Sequence, residues 1–229
     1  MMTATKVQYK VTMLLFNQSG DKAKEPMSAE LLKHLCGWLL DYGTTDGMFA
    51  YCYLLITWNL MCRSESTAIL KLTDIVWSTT FDAFQIHFSH SKIDQIGDEY
   101  KNARHVYANS HCPLSCPVLA LSMYFSSCFN TQGLAEDTLL FPGPHQEARF
   151  SKILTRLLRS KRNEVRILGF DANKIGTHSI RKGASSYLSS LPGGPSAAAI
   201  NIQGGWSMVT SKIDILSTSK LVISTAVDA

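Results

Sequence analysis

The sequence has few charges, no cystine-like rhythm of cysteines, no internal repeats and no apolar run long enough to span a bilayer. Charged residues make up 17 % of the 229 positions and hydrophobic ones 45 %. That balance excludes a disordered chain and supplies the material for a real core in one domain of ordinary size. Of the six cysteines, Cys36, Cys52, Cys62 and Cys128 fall inside apolar helical patterns, where a reduced thiol behaves as a small hydrophobe. With no signal peptide at the start, the expected compartment is intracellular and reducing. The most apolar stretch, residues 48–62, is broken by Thr57 and Asn59 and is too short to cross a membrane. It reads as a buried helix, and no membrane partner is expected.

The net charge is only +4, but it is unevenly spread. Between Lys152 and Lys182 nine basic residues face two acidic ones, Glu164 and Asp171, so the rest of the chain is net acidic. Taken alone, such a run most often forms a solvated helix face. Concentrated on one side, it is also the footprint of a protein that contacts phosphates, and Lys152, Arg156, Arg159, Lys161, Arg162 and Lys182 are the candidates for DNA contact.

The periodicity predicts a mainly α-helical α+β fold with a small antiparallel sheet. Ser28 caps a helix to about Asp41, which Gly43 ends, and Asp46 can cap the buried helix after it. Alternation at Phe84, Ile86 and Phe88 predicts a strand, and a polar turn at Lys92 to Glu99 leads to a second strand at Arg104 to Ala108. Pro117 starts a helix to about Phe129. A basic helix spans Phe150 to about Arg162, and Thr177 caps a helix that stops at Leu191-Pro192-Gly193-Gly194. A last short helix covers Ser196 to Gln203. Residues 1–26 read as a leader or remnant, 27–208 as the domain, and 209–229 as an atypical tail.

The residues that carry chemistry come in order. His178-Ser179-Ile180-Arg181 places an imidazole and a guanidinium on one helix face near a positive helix end, an arrangement suited to a phosphate. Arg63 closes the apolar helix in Trp58-Asn59-Leu60-Met61-Cys62-Arg63, Lys92 sits in the turn after the strand, and Trp206 comes just after the last short helix. Each has a plain structural reading alone, such as an ion pair of Arg63 with Glu65 or Asp74, a solvated turn lysine or a core tryptophan. As an ordered set they resemble the catalytic domain of tyrosine recombinases. Flanking segments resemble the recombinases of Crypton-like transposons: Arg104-His105-Val106-Tyr107-Ala108-Asn109, Cys116-Pro117-Val118-Leu119-Ala120-Leu121, Leu140-Phe141-Pro142-Gly143, the run from His178 to Ala184, and Gly205-Trp206-Ser207.

The resemblance implies a DNA-binding protein of recombination and integration, acting on double-stranded DNA through a phosphotyrosyl intermediate, nuclear by association with transposons, and assembled as a homo-oligomer. It assigns Arg63 and Arg181 to the non-bridging phosphate oxygens, Lys92 to the leaving 5′-oxygen as general acid, His178 to orienting or deprotonating the nucleophile, and Trp206 to donating an indole N–H. It implies no cofactor and no metal, because guanidinium groups supply the positive charge. A zinc site from His105, His111, Cys112 and Cys116 is disfavoured by the loop spacing between Pro113 and Pro117.

The chain departs from the family after Trp206, where no tyrosine occurs. Tyr187 lies on the wrong side of Trp206, and nothing near Ser211 or Ser217 would activate a hydroxyl. The nucleophile is therefore expected to be missing and cleavage impaired, through a frameshift, mis-splicing or decay of a transposon copy. A non-catalytic DNA-binding or interaction domain that keeps the fold is the alternative. The segment ahead of the domain is too short for a second DNA-clamping domain, so weak DNA binding with little sequence preference is expected.

Overall fold

A helix with no polar face has to be wrapped on every side. Helix α2 (Thr45–Leu60) has every residue from Phe49 to Leu60 buried. The computed structural model describes residues 24–88, 103–128, 135 and 137–204. Around α2 pack α1 (Ala29–Asp41), α3 (Ser64–Ala68), α4 (Pro117–Cys128), α5 (Gln146–Ser160) and α7 (Thr177–Ser190). The described residues also form the short helices α6 (Arg162–Ile167) and α8 (Ala197–Gly204). The expected cap holds for α1, where Ser28 Oγ accepts the Leu31 N–H at 3.0 Å, and Gly43 ends it at φ +57°. The cap of α2 is Thr44 rather than Asp46: Thr44 Oγ1 accepts from Gly47 N–H at 3.1 Å, and Asp46 sits in the first turn.

The sheet has three antiparallel strands in the order β1 (Ile75–Ser78), β2 (Ala83–Ile86), β3 (Arg104–Tyr107). The two strands expected from the sequence, one from its alternation and one from the turn before it, are β2 and β3, in register Ile86 opposite Arg104 and Phe84 opposite Val106. Strand β1 carries no such signal. It is an edge strand whose two middle residues, Val76 and Trp77, are both exposed, so its burial does not alternate.

Phe141, read as part of a loop, is fully buried. Its ring lies 5.4 Å from Phe49, 5.0 Å from Tyr53 and 5.2 Å from Tyr124, and Phe150 stacks on Tyr53 at 4.5 Å. Aromatic contacts of this kind add to the area they bury. Residues 138–140 reach this position by pairing with 70–72, through Leu72 N–H to Thr138 O at 2.9 Å and Leu140 N–H to Leu70 O at 2.7 Å.

Helix α5 begins four residues before its expected start. The added turn is held from outside, since Arg149 pairs with Asp46 at 2.5 Å and lies 4.2 Å over the Phe49 ring. Helix α7 starts at Thr177 with Gly176 as its cap residue, because Ser179 Oγ accepts the Gly176 N–H at 3.0 Å.

The buried thiols and phenols have a consequence for pH. Burial pushes the Cys36, Cys52 and Cys62 thiols up, and the Tyr51, Tyr53 and Tyr124 phenols with them. A raised folded value means that the unfolded chain gives up its protons first, so stability is full below the unfolded value and falls as pH rises. The denaturation midpoint is expected to start falling near the ordinary thiol value of about 8.5, and to fall further past about 10 for tyrosine. Urea midpoints measured from about pH 7 to about pH 10.5 check this across both values, and a flat profile would contradict the burial of these groups.

A candidate phosphate-binding cavity

The chain leaves helix α2 through a left-handed residue, Met61, at φ +49°. That turn brings Arg63 to the start of α3, exposed and extended at φ −72°, ψ 149°. The turn is held on several sides. The buried Arg104 of β3 donates from Nη1 to the Leu60 carbonyl at 2.7 Å, a cation on the negative end of α2, and lies 4.6 Å from the Phe88 ring centre. Tyr53 Oη donates to the Ser64 carbonyl at 2.5 Å. Thr67 Oγ1 meets both Thr57 Oγ1 at 2.9 Å and Cys62 Sγ at 3.1 Å. Buried polar groups satisfied in this way fix the direction in which Arg63 leaves the core. Asp74, one of the two acids considered as its partner, accepts from the Lys71 N–H at 2.8 Å.

Opposite lies one face of α7. A cavity of about 570 Å³ is lined by Arg63 with Cys62 and Ser64 on one side, and by Thr177, His178, Arg181, Lys182, Ser185 and Ser186 on the other, with Lys24 and Pro26 closing it. The α7 residues recur at the spacing of one helix face. The structure thus brings together Arg63, His178 and Arg181 of the five residues singled out as catalytic. Lys92 and Trp206 lie outside the described residues. No aspartate or glutamate is among the described residues lining the cavity.

Arg181 also donates from Nη2 to the carbonyl of Gly204, the last residue of α8. One guanidinium therefore lines the cavity and holds the helix end that leads towards Trp206. Tyr187 is half-buried and lies 6.3 Å from the Trp58 ring, and burial raises its phenol. It faces the core and does not line the cavity.

The cationic candidates divide into two groups. Lys182 lines the cavity, where Nζ donates to the Lys24 carbonyl at 3.0 Å. Lys152, Arg156, Arg159 and Arg162 are exposed along α5 and the start of α6 and are not among the residues lining the cavity. Lys161 belongs to the same stretch. It pairs with Glu164 at 3.4 Å and sits 5.7 Å over the Trp38 ring. Cys116, considered for zinc, takes backbone N–H groups of Asn109 at 3.3 Å and Leu119 at 3.4 Å.

Sequence reasoning missed Lys24, Pro26, Ser64, Ser185 and Ser186. The two serines of α7 continue the face of His178, Arg181 and Lys182 at helical spacing, so a signal for them exists. Lys24 and Pro26 carry none, because they fall in the stretch read as a leader. They belong to a short strap laid across α7. Glu25 N–H donates to Lys174 O and Met27 N–H to Ser179 O, both at 2.9 Å. Lys24 Nζ donates to Asn173 O at 2.7 Å and to Ile175 O at 3.3 Å, and Glu25 pairs with Lys174 at 3.4 Å.

No family model matches the sequence, and no curated protein matches it. Among solved structures, the chain is similar to the "Flpe W330F mutant-DNA Holliday Junction Complex" at 12 % identity, with a TM-score of 0.56 over 90 % of this chain and 50 % of that one. It is also similar to the "FLP Recombinase-Holliday Junction Complex I" at 14 % identity, with a TM-score of 0.53 over 99 % of this chain and 52 % of that one. The chain spans about half the length of these proteins. Its mainly helical architecture with a small three-stranded antiparallel sheet is similar to the fold of these recombinase structures.

Proposed function

We propose that this protein binds the backbone of double-stranded DNA, holds a phosphate in the cavity between Arg63 and helix α7, and leaves it uncut. The observation that carries the reading is the cavity itself, in which two guanidiniums, two ammonium groups and an imidazole converge with no carboxylate among the described lining residues. Guanidinium forks match the planar edge of a phosphate, and a helix N-terminus adds its own positive end. The two recombinase structures named above are complexes with a Holliday junction, which supports the polyanionic partner.

In this reading the protein derives from a recombinase of a Crypton-like mobile element and works in the nucleus. Arg63 and Arg181 bind the non-bridging oxygens, His178 contacts the same phosphate, and Trp206 adds an N–H from the segment after α8. Lys92 supplies a proton donor from the β2–β3 connection. The missing element is an attacking group, since no tyrosine occurs after Trp206 in the sequence. Of the serines at the cavity, Ser185 Oγ donates to Lys182 O at 2.9 Å and Ser64 Oγ lies 3.2 Å from Tyr53 Oη. Neither bond joins the hydroxyl to a base that would activate it.

A nicked suicide substrate, in which the leaving strand diffuses away after attack, tests the claim. Retarded mobility in a native gel without a covalent adduct in a denaturing gel is the expected result. A covalent adduct would show that some hydroxyl does attack, and absence of any complex would remove the DNA reading.

A further inference from the structure

We propose that Lys24 and Lys182 form a second anion subsite in this cavity, so that it receives two successive phosphates of one nucleic-acid strand. The proposal rests on the phosphate reading of Arg63, His178 and Arg181.

Size is the first argument. The cavity measures about 570 Å³, many times the roughly 10–15 Å³ of such space that one water needs, and more than a single phosphate group fills. Charge is the second. Four permanent cations line it, Lys24, Arg63, Arg181 and Lys182, with no carboxylate among the described lining residues. Two acids adjoin lining residues in sequence, Glu25 and Glu65, and Glu25 pairs with Lys174 at 3.4 Å. A single phosphodiester carries one negative charge, so it leaves most of this field unanswered.

Geometry is the third. Arg181 and Lys182 are consecutive on α7, so their side chains diverge by about 100° around the helix. They therefore suit different parts of an extended ligand rather than one group. Lys182 leans towards the strap, where its ammonium donates to Lys24 O at 3.0 Å. Lys24 lies over Gly176, with its Cε 3.2 Å from where a Cβ would stand, and its ammonium donates to Asn173 O at 2.7 Å and Ile175 O at 3.3 Å. Carbonyl oxygens orient an ammonium without cancelling its charge, and each ammonium carries three N–H groups. Lys182 is thus tied to the strap that carries Lys24, so both lysines stand at the strap side of the cavity, and phosphates repeating along a strand can reach both sides.

Calorimetric titration of the full chain with thymidine 3′,5′-bisphosphate and with thymidine 3′-monophosphate tests the second subsite without knowledge of any DNA sequence. The wild type is expected to prefer the bisphosphate by about tenfold, one further charged hydrogen bond's worth. Lys24→Met should bring the two ligands to within about twofold, Lys24→Arg should keep the preference, and Arg181→Ala should weaken both ligands alike. A thermal melt of each variant checks folding, and Lys182→Gln gives a second route should Lys24→Met unfold. Equal affinity for the two ligands in the wild type, or a preference that persists without Lys24, would overturn the second subsite while leaving the first intact. If neither ligand binds the wild type, the phosphate reading itself fails and the second subsite fails with it.

Discussion

Replacing Arg181 with alanine is expected to lower affinity for duplex DNA by roughly 30- to 100-fold, the largest loss from any single change at the cavity. A hydrogen bond to a charged group is worth about 1.5–3 kcal/mol, and each 1.4 kcal/mol is tenfold. Arg181 acts twice, since it lines the cavity and also binds the Gly204 carbonyl that closes α8. Removing it takes a phosphate contact and releases the segment leading to Trp206. Lysine should not restore binding, because a point charge on a flexible stem cannot serve a carbonyl and a phosphate with one planar fork. Lys152→Ala, on the exposed face of α5, is expected to cost only a few-fold through the general field. Fluorescence anisotropy at one fixed salt concentration compares the three variants. Equal losses for Arg181→Ala and Lys152→Ala would mean that the cavity is no more than another part of a basic surface.

The second large effect concerns stability. In an ordinary helix alanine is favoured over glycine by about 1 kcal/mol, yet Gly183→Ala is expected to destabilise this protein. A Cβ at Gly183 would lie 2.0 Å from Met27 O, 2.8 Å from Met27 C and 2.9 Å from Met27 N. Those are backbone atoms of the strap, which cannot swing aside as the tip of a side chain would. The strap must lift, and Met27, fully buried in the core, must lift with it. Exposing such a side chain costs about 1.5–3 kcal/mol, and the Met27–Ser179 and Lys182–Lys24 hydrogen bonds weaken as well. The expected net loss is about 2–4 kcal/mol, or roughly 5–15 °C in Tm for a chain of this size. Thermal unfolding followed by circular dichroism measures it. A Tm equal to or above that of the wild type would show that the strap does not rest on α7.

These two residues also mark how far the sequence can be read. The place of Arg181 beside His178 was legible because it is local: the two share a helix face by spacing alone, and Arg63 follows a helix too apolar to be anything but central. The reason for Gly183 was not legible. It sits at a helical position with no turn to explain it, and its partner is Met27, far away along the chain. Lys24 was hidden in the same way, since Lys182 and Lys24 are 158 residues apart and the strap has no periodicity of its own. Burial alternates along β3 but not along β1, which is why the edge strand escaped. Lys152 and Lys161 look alike in a charge count, and only the Trp38 ring and Glu164 distinguish them.

The central claim is that Arg63 and Arg181 meet DNA phosphate in the cavity. The most direct test is the salt dependence of duplex binding by the wild type, Arg63→Ala and Arg181→Ala, with log K plotted against log salt concentration. Each cation that neutralises a phosphate contributes a slope of about −0.9. The account predicts a slope shallower by about one unit in each variant, together with weaker binding at every salt concentration. Slopes and affinities unchanged from the wild type in both variants would contradict it.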